Sequence, residues 1–190
     1  MSTIPSEVLT WQLSGKTGNV RSQNTYTANT GYSLFCSANK RYLTYGKEPL
    51  GINLVYSTTD ADKKIHFRLP DGKERDVLTG EAVAFGIGGG DAFLYYNNRT
   101  AGINLSWSGA AKHEWSIWGA DGKQGVPIVQ GQPYALINKN VQPTADFLVY
   151  LDRAPGMADV GWTSSENWSG KIFQAVKDYG PKAAALVAML

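Results

Sequence analysis

The sequence predicts an all-β fold in which three copies of a repeat about fifty residues long supply about twelve short strands, with a helical tail behind them. Three observations predict it. The 190 residues include 21 glycines, and 12% are aromatic, as in short strands joined by tight turns. Apolar and polar residues alternate with a period of two between Gly, Asp and Asn turns. Whole stretches then recur at a fixed spacing.

The recurrence runs along most of the chain. Tyr42-Leu43-Thr44-Tyr45 leads to Gly51-Ile52-Asn53-Leu54, and 51 residues later Phe93-Leu94-Tyr95-Tyr96 leads to Gly102-Ile103-Asn104-Leu105. Tyr56-Ser57 continues as Trp107-Ser108. A looser third copy reads Phe147-Leu148-Val149-Tyr150, then Gly156, then Val160-Gly161-Trp162-Thr163. The segments between recur as well. Asp71-Gly72-Lys73 returns as Asp121-Gly122-Lys123, each after an alternating strand, Ile65-His66-Phe67 and Trp115-Ser116-Ile117. A glycine turn follows at Gly80 and Gly131. Then come Val83-Ala84-Phe85 and Tyr134-Ala135-Leu136, with Tyr32-Ser33-Leu34 as their first counterpart. Trp11-Gln12-Leu13-Ser14-Gly15 matches Trp115-Ser116-Ile117-Trp118-Gly119, which predicts a ring cut inside one repeat. One copy cannot bury its own apolar face, whereas three closing on one another can, and closure removes exposed strand edges.

Bulk properties set limits. Charged residues are 18% and the net charge is +2, with no run of Lys or Arg, which argues against a nucleic-acid partner. No stretch reaches the ~18–20 apolar residues of a membrane span. The N-terminus shows no secretory signal, so the expected location is cytoplasmic, or outside the cell by a route without a signal peptide. Asn98, Asn104 and Asn167 match the glycosylation pattern and are read as chance in that setting. Cys36 is the sole cysteine and lies in an apolar stretch, so it is expected as a buried, inert thiol.

The layout of residues 8–162 resembles the β-trefoil superfamily, which includes ricin-B-type lectins, fascin-type actin bundlers and trefoil inhibitors. The resemblance rests on repeat length, strand pattern and the recurring aromatic-Leu-x-Tyr and Trp-x-Ile positions. It implies a β-trefoil domain over 1–162. The Gln-x-Trp signature of the ricin-B lectins does not occur in the repeat, so no subfamily follows. Over 163–190 the pattern changes. Thr163-Ser164-Ser165-Glu166-Asn167 offers helix-capping residues, and Trp168, Ile172, Phe173, Val176 and Tyr179 fall on one helical face. Gly180-Pro181 breaks this helix, and an Ala/Leu-rich stretch follows. The tail is expected to pack on the domain, or to join two copies as a homodimer.

No catalytic constellation is present in the sequence. His66 and His113 lack partners at metal-ligand spacing and read as surface residues. Gly86-Ile87-Gly88-Gly89-Gly90 reads as a hairpin turn, because it joins two strands and opens no helix. No enzyme activity, cofactor or metal is expected. The stronger signal is aromatic and polar residues on equivalent loops. Asn98 and Arg99 lead to Trp107 in the second copy, and Asp152 and Arg153 lead to Trp162 in the third. Sugar binding uses this mixture, an aromatic face for the apolar side of a pyranose and polar groups for its hydroxyls. The same tryptophans also suit the core. These six residues are the candidate ligand site, and a non-catalytic lectin-like module that binds glycans or glycoproteins is the first expectation. The other is a protein-interaction module that uses the domain surface and apolar tail: a cytoskeletal binder, an inhibitor or the targeting part of a toxin.

Overall fold

The computed structural model describes residues 4–163, apart from 16, 28–29, 50–51, 60–63, 89–91, 100–102, 142–145 and 154. It is all-β. The described residues form twelve short strands: β1 (Trp11–Ser14), β2 (Ser33–Cys36), β3 (Arg41–Tyr45), β4 (Leu54–Ser57), β5 (His66–Arg68), β6 (Ala84–Gly86), β7 (Phe93–Tyr96), β8 (Leu105–Ser108), β9 (Trp115–Trp118), β10 (Pro133–Asn138), β11 (Phe147–Tyr150) and β12 (Val160–Thr163). The only helical element among them is a 3-10 turn, Ser6–Val8. No helix among the described residues is long and apolar enough to cross a membrane. The tail read from the sequence over 163–190 lies, except for Thr163 at the end of β12, outside the described residues.

Each sequence copy becomes one four-stranded antiparallel meander: β1–β4, β5–β8 and β9–β12. The sheet carrying β1–β4 curls into a half-barrel. The copies are joined by pairings between one copy's second strand and the next copy's first. Tyr32 bridges to Ile65, Val83 to Trp115, and Trp11 at the start of β1 pairs with Tyr134 of β10. Tyr32, Val83 and Tyr134 are the three positions the sequence sets 51 residues apart.

Alternation explains what faces inward. Trp11 and Leu13 on β1, Phe67 on β5, and Trp115 and Ile117 on β9 enter one core with Leu34, Phe85 and Leu136. Two indoles also fasten copies together. Trp11 Nε1 donates to the Leu148 carbonyl and Trp115 Nε1 to the Leu94 carbonyl, both at 2.7 Å. The match between the Trp11 and Trp115 segments is therefore a match of contacts too.

The turns the sequence repeats are built alike. In both Asp-Gly-Lys turns the aspartate Oδ1 accepts the lysine N–H, at 3.0 Å from Lys73 and 3.1 Å from Lys123. Gly80 and Gly131 sit at φ +74° and +79° and donate to the carbonyls of Ile117 and Leu13 on the following copy. At Gly80 a Cβ would come 2.6 Å from the Trp118 ring, so both the backbone angle and the close approach require glycine.

Three expectations meet the structure here. Cys36 is fully buried, as read from its apolar setting, and burial pushes its thiol pKa up. His113 is half-buried, and burial lowers its pKa, whereas Glu114 beside it turns inward. The buried carboxylate accepts from Asn138 and Asn140 Nδ2, both at 2.7 Å, and from the Tyr96 N–H. His66, read as a surface residue, is instead buried at 0% exposure. Its side chain lies on the outer face of β5, but that face is covered. Tyr26 lies 5.1 Å from its ring and Phe93 5.5 Å, while the Arg68 guanidinium sits 4.8 Å over Phe93. The same outer face on copy three is covered by Ile4 and Val8, which pack with Trp118, Ile137 and Phe147.

Gly86 lies against His66, where a Cβ would come 2.1 Å from the imidazole Cε1. Gly86→Ala should therefore cost roughly 1–3 kcal/mol, since a ring packed on both sides cannot move away. Gly109, with open space around it, should tolerate alanine within about 0.5 kcal/mol. Urea denaturation of both variants checks this. Ellman's reagent should leave Cys36 unmodified in the folded protein at pH 8 and titrate one thiol per chain in guanidinium; rapid modification without denaturant would contradict its burial.

Candidate functional site

Asn98 and Arg99 lie in the hairpin loop 97–104 and Asp152 and Arg153 in the loop 151–159, whereas Trp107 stands on β8 and Trp162 on β12; the loop 46–53 is the equivalent in copy one. These three loops share one construction. In each, the residue after the outgoing strand donates its N–H to a carbonyl across the loop: Gly46 to Asn53, Asn97 to Asn104 and Leu151 to Asp159. An Asx side chain then accepts a second backbone N–H. Asn53 Oδ1 accepts from Glu48 at 3.2 Å, Asn104 Oδ1 from Arg99 at 3.0 Å, and Asp159 Oδ1 from Arg153 at 3.1 Å. Asn and Asp favour such local side-chain turns. Asn104 sits at φ +58°, which its short polar side chain tolerates.

The two arginines occupy equivalent places. Arg99 Nη1 lies 3.4 Å from the Leu105 carbonyl and Arg153 Nη1 3.3 Å from that of Val160. Each guanidinium thus hydrogen-bonds the strand that leaves its own loop. Asn98 and Asp152 are exposed beside them.

The aromatic residues pair across copies. Tyr45 of copy one meets Trp107 of copy two edge-on at 5.7 Å. Tyr96 of copy two meets Trp162 of copy three at 6.5 Å, and Tyr150 of copy three meets Tyr56 of copy one at 5.6 Å, both edge-on. Thus Trp107 faces the preceding copy, and the hairpin that carries Asn98 and Arg99 meets Trp162 of the following copy. Trp107 and Trp162 are partly buried and pack on the main core, as do Tyr56 and Tyr150. Trp162 Nε1 donates to the Ile103 carbonyl at 2.7 Å. Trp107 Nε1 is buried with no hydrogen-bond partner among the described residues. Burial pushes the Tyr56 hydroxyl pKa well up, with the neighbouring Cys36 thiol adding to it.

The sequence reading passed over Tyr45 and Leu151. They are 44% and 45% exposed and stand at neighbouring positions of equivalent strand ends. Gly88 was the available signal: a Cβ there would come 3.1 Å from Tyr45 Cβ, so glycine lets that loop lie against the tyrosine.

Among the described residues no group of three or more His, Cys, Asp and Glu could hold a metal ion. No protein-family model matches the chain, and no curated protein or solved structure matches it either.

Asn104→Ala removes the side chain that closes its loop and leaves a Cβ residue at positive φ. A loss of about 1–2 kcal/mol is expected in thermal unfolding, and Asn104→Gly, which relieves the backbone, should cost less. Equal losses for the two variants would mean that the side-chain bond, not the backbone angle, dominates.

Proposed function

We propose that this chain is a β-trefoil carbohydrate-binding module whose hairpin-loop end takes a sugar. The trefoil assignment is supported by the three four-stranded copies and by pairings that pass from each copy to the next and back to the first. The carbohydrate reading is carried by one observation: paired aromatic rings stand across each copy-to-copy junction, beside loops held by their own side chains. Rigid aromatic surface with fixed polar neighbours suits a pyranose, because little ordering entropy is lost on binding.

The six candidate residues take different parts in this reading. Asn98 and Asp152 are exposed hydrogen-bonding groups for hydroxyls. Trp107 and Trp162 are the core-packed members of two of the aromatic pairs. Arg99 and Arg153 hold the loops in shape through their contacts with the Leu105 and Val160 carbonyls.

A second reading, a protein-interaction module, is favoured by a different surface. A groove of about 310 Å³ is lined by Thr79, Ala120, Pro127 and Tyr134, with Val126 and Val129 exposed along it. An exposed apolar surface of this kind suits a protein contact.

A glycan array probed with the full-length protein tests the first reading. One glycan class should bind, and at a hundredfold excess over Kd it should stabilise the fold by about 2.7 kcal/mol, a shift of roughly 5–10 °C in Tm. A blank array with no thermal shift refutes the carbohydrate reading and transfers the case to the groove around Val126 and Val129.

A further inference from the structure

The three junctions are built alike but closed to different degrees. Between copies two and three, the Trp162 indole is tied to the Ile103 carbonyl at 2.7 Å, and Tyr96 is half-buried against it. Between copies three and one, Tyr56 takes the indole's place and packs edge-on with Tyr150. The outer position there belongs to Leu151, which lies over Gly161; a Cβ on that glycine would come 2.1 Å from Leu151 Cδ1. An aliphatic side chain offers no flat ring face.

The junction between copies one and two lacks both closures. Trp107 Nε1 makes no counterpart of the Trp162 bond, and Tyr45 keeps 44% of its surface exposed. Glycine lies against that tyrosine from copy two: Gly88, at φ +100°, is so close that a Cβ there would come 3.1 Å from Tyr45 Cβ, whereas Gly46, next in the chain, packs on Val55. The ring is nonetheless fixed: Asn53 Nδ2 donates to its hydroxyl at 3.2 Å, and Trp107 holds it edge-on at 5.7 Å. An exposed ring with a set orientation is a platform.

We infer that the junction between copies one and two is the single ligand site of this chain and takes one neutral pyranose on the open face of Tyr45. This inference rests on the carbohydrate reading above and narrows it to one place and one class of sugar. The charge distribution argues for a neutral ligand. The loop beside Tyr45 carries Lys47 and Glu48, whose charges offset one another. The guanidiniums of Arg99 and Arg153, the natural partners for a sialic acid carboxylate or a sulfate, hydrogen-bond their own loops.

The test uses the full-length protein labelled with ¹⁵N, which has six tryptophans and so six indole N–H signals. Methyl glycosides of glucose, galactose and mannose, then lactose and 3′-sialyllactose, are titrated in, with the signals assigned by single Trp→Phe variants. A neutral glycoside should shift the Trp107 indole and leave that of Trp162 in place. Tyr45→Ala, at an exposed position, should weaken binding about tenfold, and Tyr45→Phe, which keeps the ring, should restore it to within a factor of about three. Simultaneous shifts at Trp107 and Trp162, unchanged affinity in Tyr45→Ala, or a preference for 3′-sialyllactose over lactose would each overturn the single neutral site while leaving a carbohydrate-binding protein. No response to any of these sugars, together with a blank array, would overturn both.

Discussion

Three backbone hydrogen bonds at the centre of the molecule tie the copies into one body. Val20 N–H donates to the Ile128 carbonyl at 2.7 Å, Ile128 N–H to that of Val77 at 3.0 Å, and Val77 N–H to that of Val20 at 2.8 Å. The three residues come from equivalent loops of the three copies, and all are fully buried. Each bond runs from one copy to another, so no copy can satisfy these groups alone. A buried backbone group left unpaired costs about 1–3 kcal/mol, and the ring therefore forms whole or not at all. The bridges Asn19–Val129, Arg21–Asp76 and Leu78–Pro127 flank it and pass through the same three segments. The strand pairings repeat this logic along the walls, since each copy's second strand bonds the next copy's first.

Around that ring the backbone is regular and the side chains are not. Tyr32 and Tyr134 each accept a loop N–H on their hydroxyl, from Arg21 at 2.8 Å and Val129 at 2.7 Å. Copy two has Val83 at the tyrosine position, and Glu81 supplies the acceptor instead, taking the Leu78 N–H at 2.5 Å. That carboxylate is held in turn by Arg75 at 2.9 Å. The indole donors at Trp11 and Trp115 have no counterpart in copy two, where Ile65 stands. The outer faces are covered by separate devices, the 3-10 turn on copy three and the Tyr26–His66–Phe93 ring cluster on copy two. The fold thus demands a donor or acceptor at each point and accepts different residues to supply it.

This division explains what was legible in the sequence. The Asp-Gly-Lys turns, the glycines at 80 and 131 and the spacing of Tyr32, Val83 and Tyr134 could be read, because one backbone requirement selects similar residues each time. The central ring could not be read from Val20, Val77 and Ile128, because its donors and acceptors are peptide groups. Burial of His66 was hidden for another reason. Alternation correctly gives the face of a strand, but Tyr26, which covers that face, lies forty positions away. At the candidate site the motif Asn/Asp-Arg was visible, but its meaning was not. Arg99 and Arg153 match because both hold a loop through a carbonyl, a contact that sequence spacing does not reveal.

The same reasoning bears on where recognition can arise in a chain of this kind. A side chain that recurs in all three copies is already engaged: the Asx residues close loops, and the aromatic pairs seal junctions. Its recurrence follows from closure and does not by itself choose among the three junctions. Recognition has to come from a place where one copy departs from the others and leaves a fixed group open to solvent. Tyr45 meets that condition. Its ring recurs as Tyr96 and Tyr150, so the position is structurally defined, but those two rings are half-buried and only Tyr45, with the bare backbone of Gly88 against its Cβ, is exposed to 44%. Closure supplies the rigidity of the platform, and the local departure supplies its access.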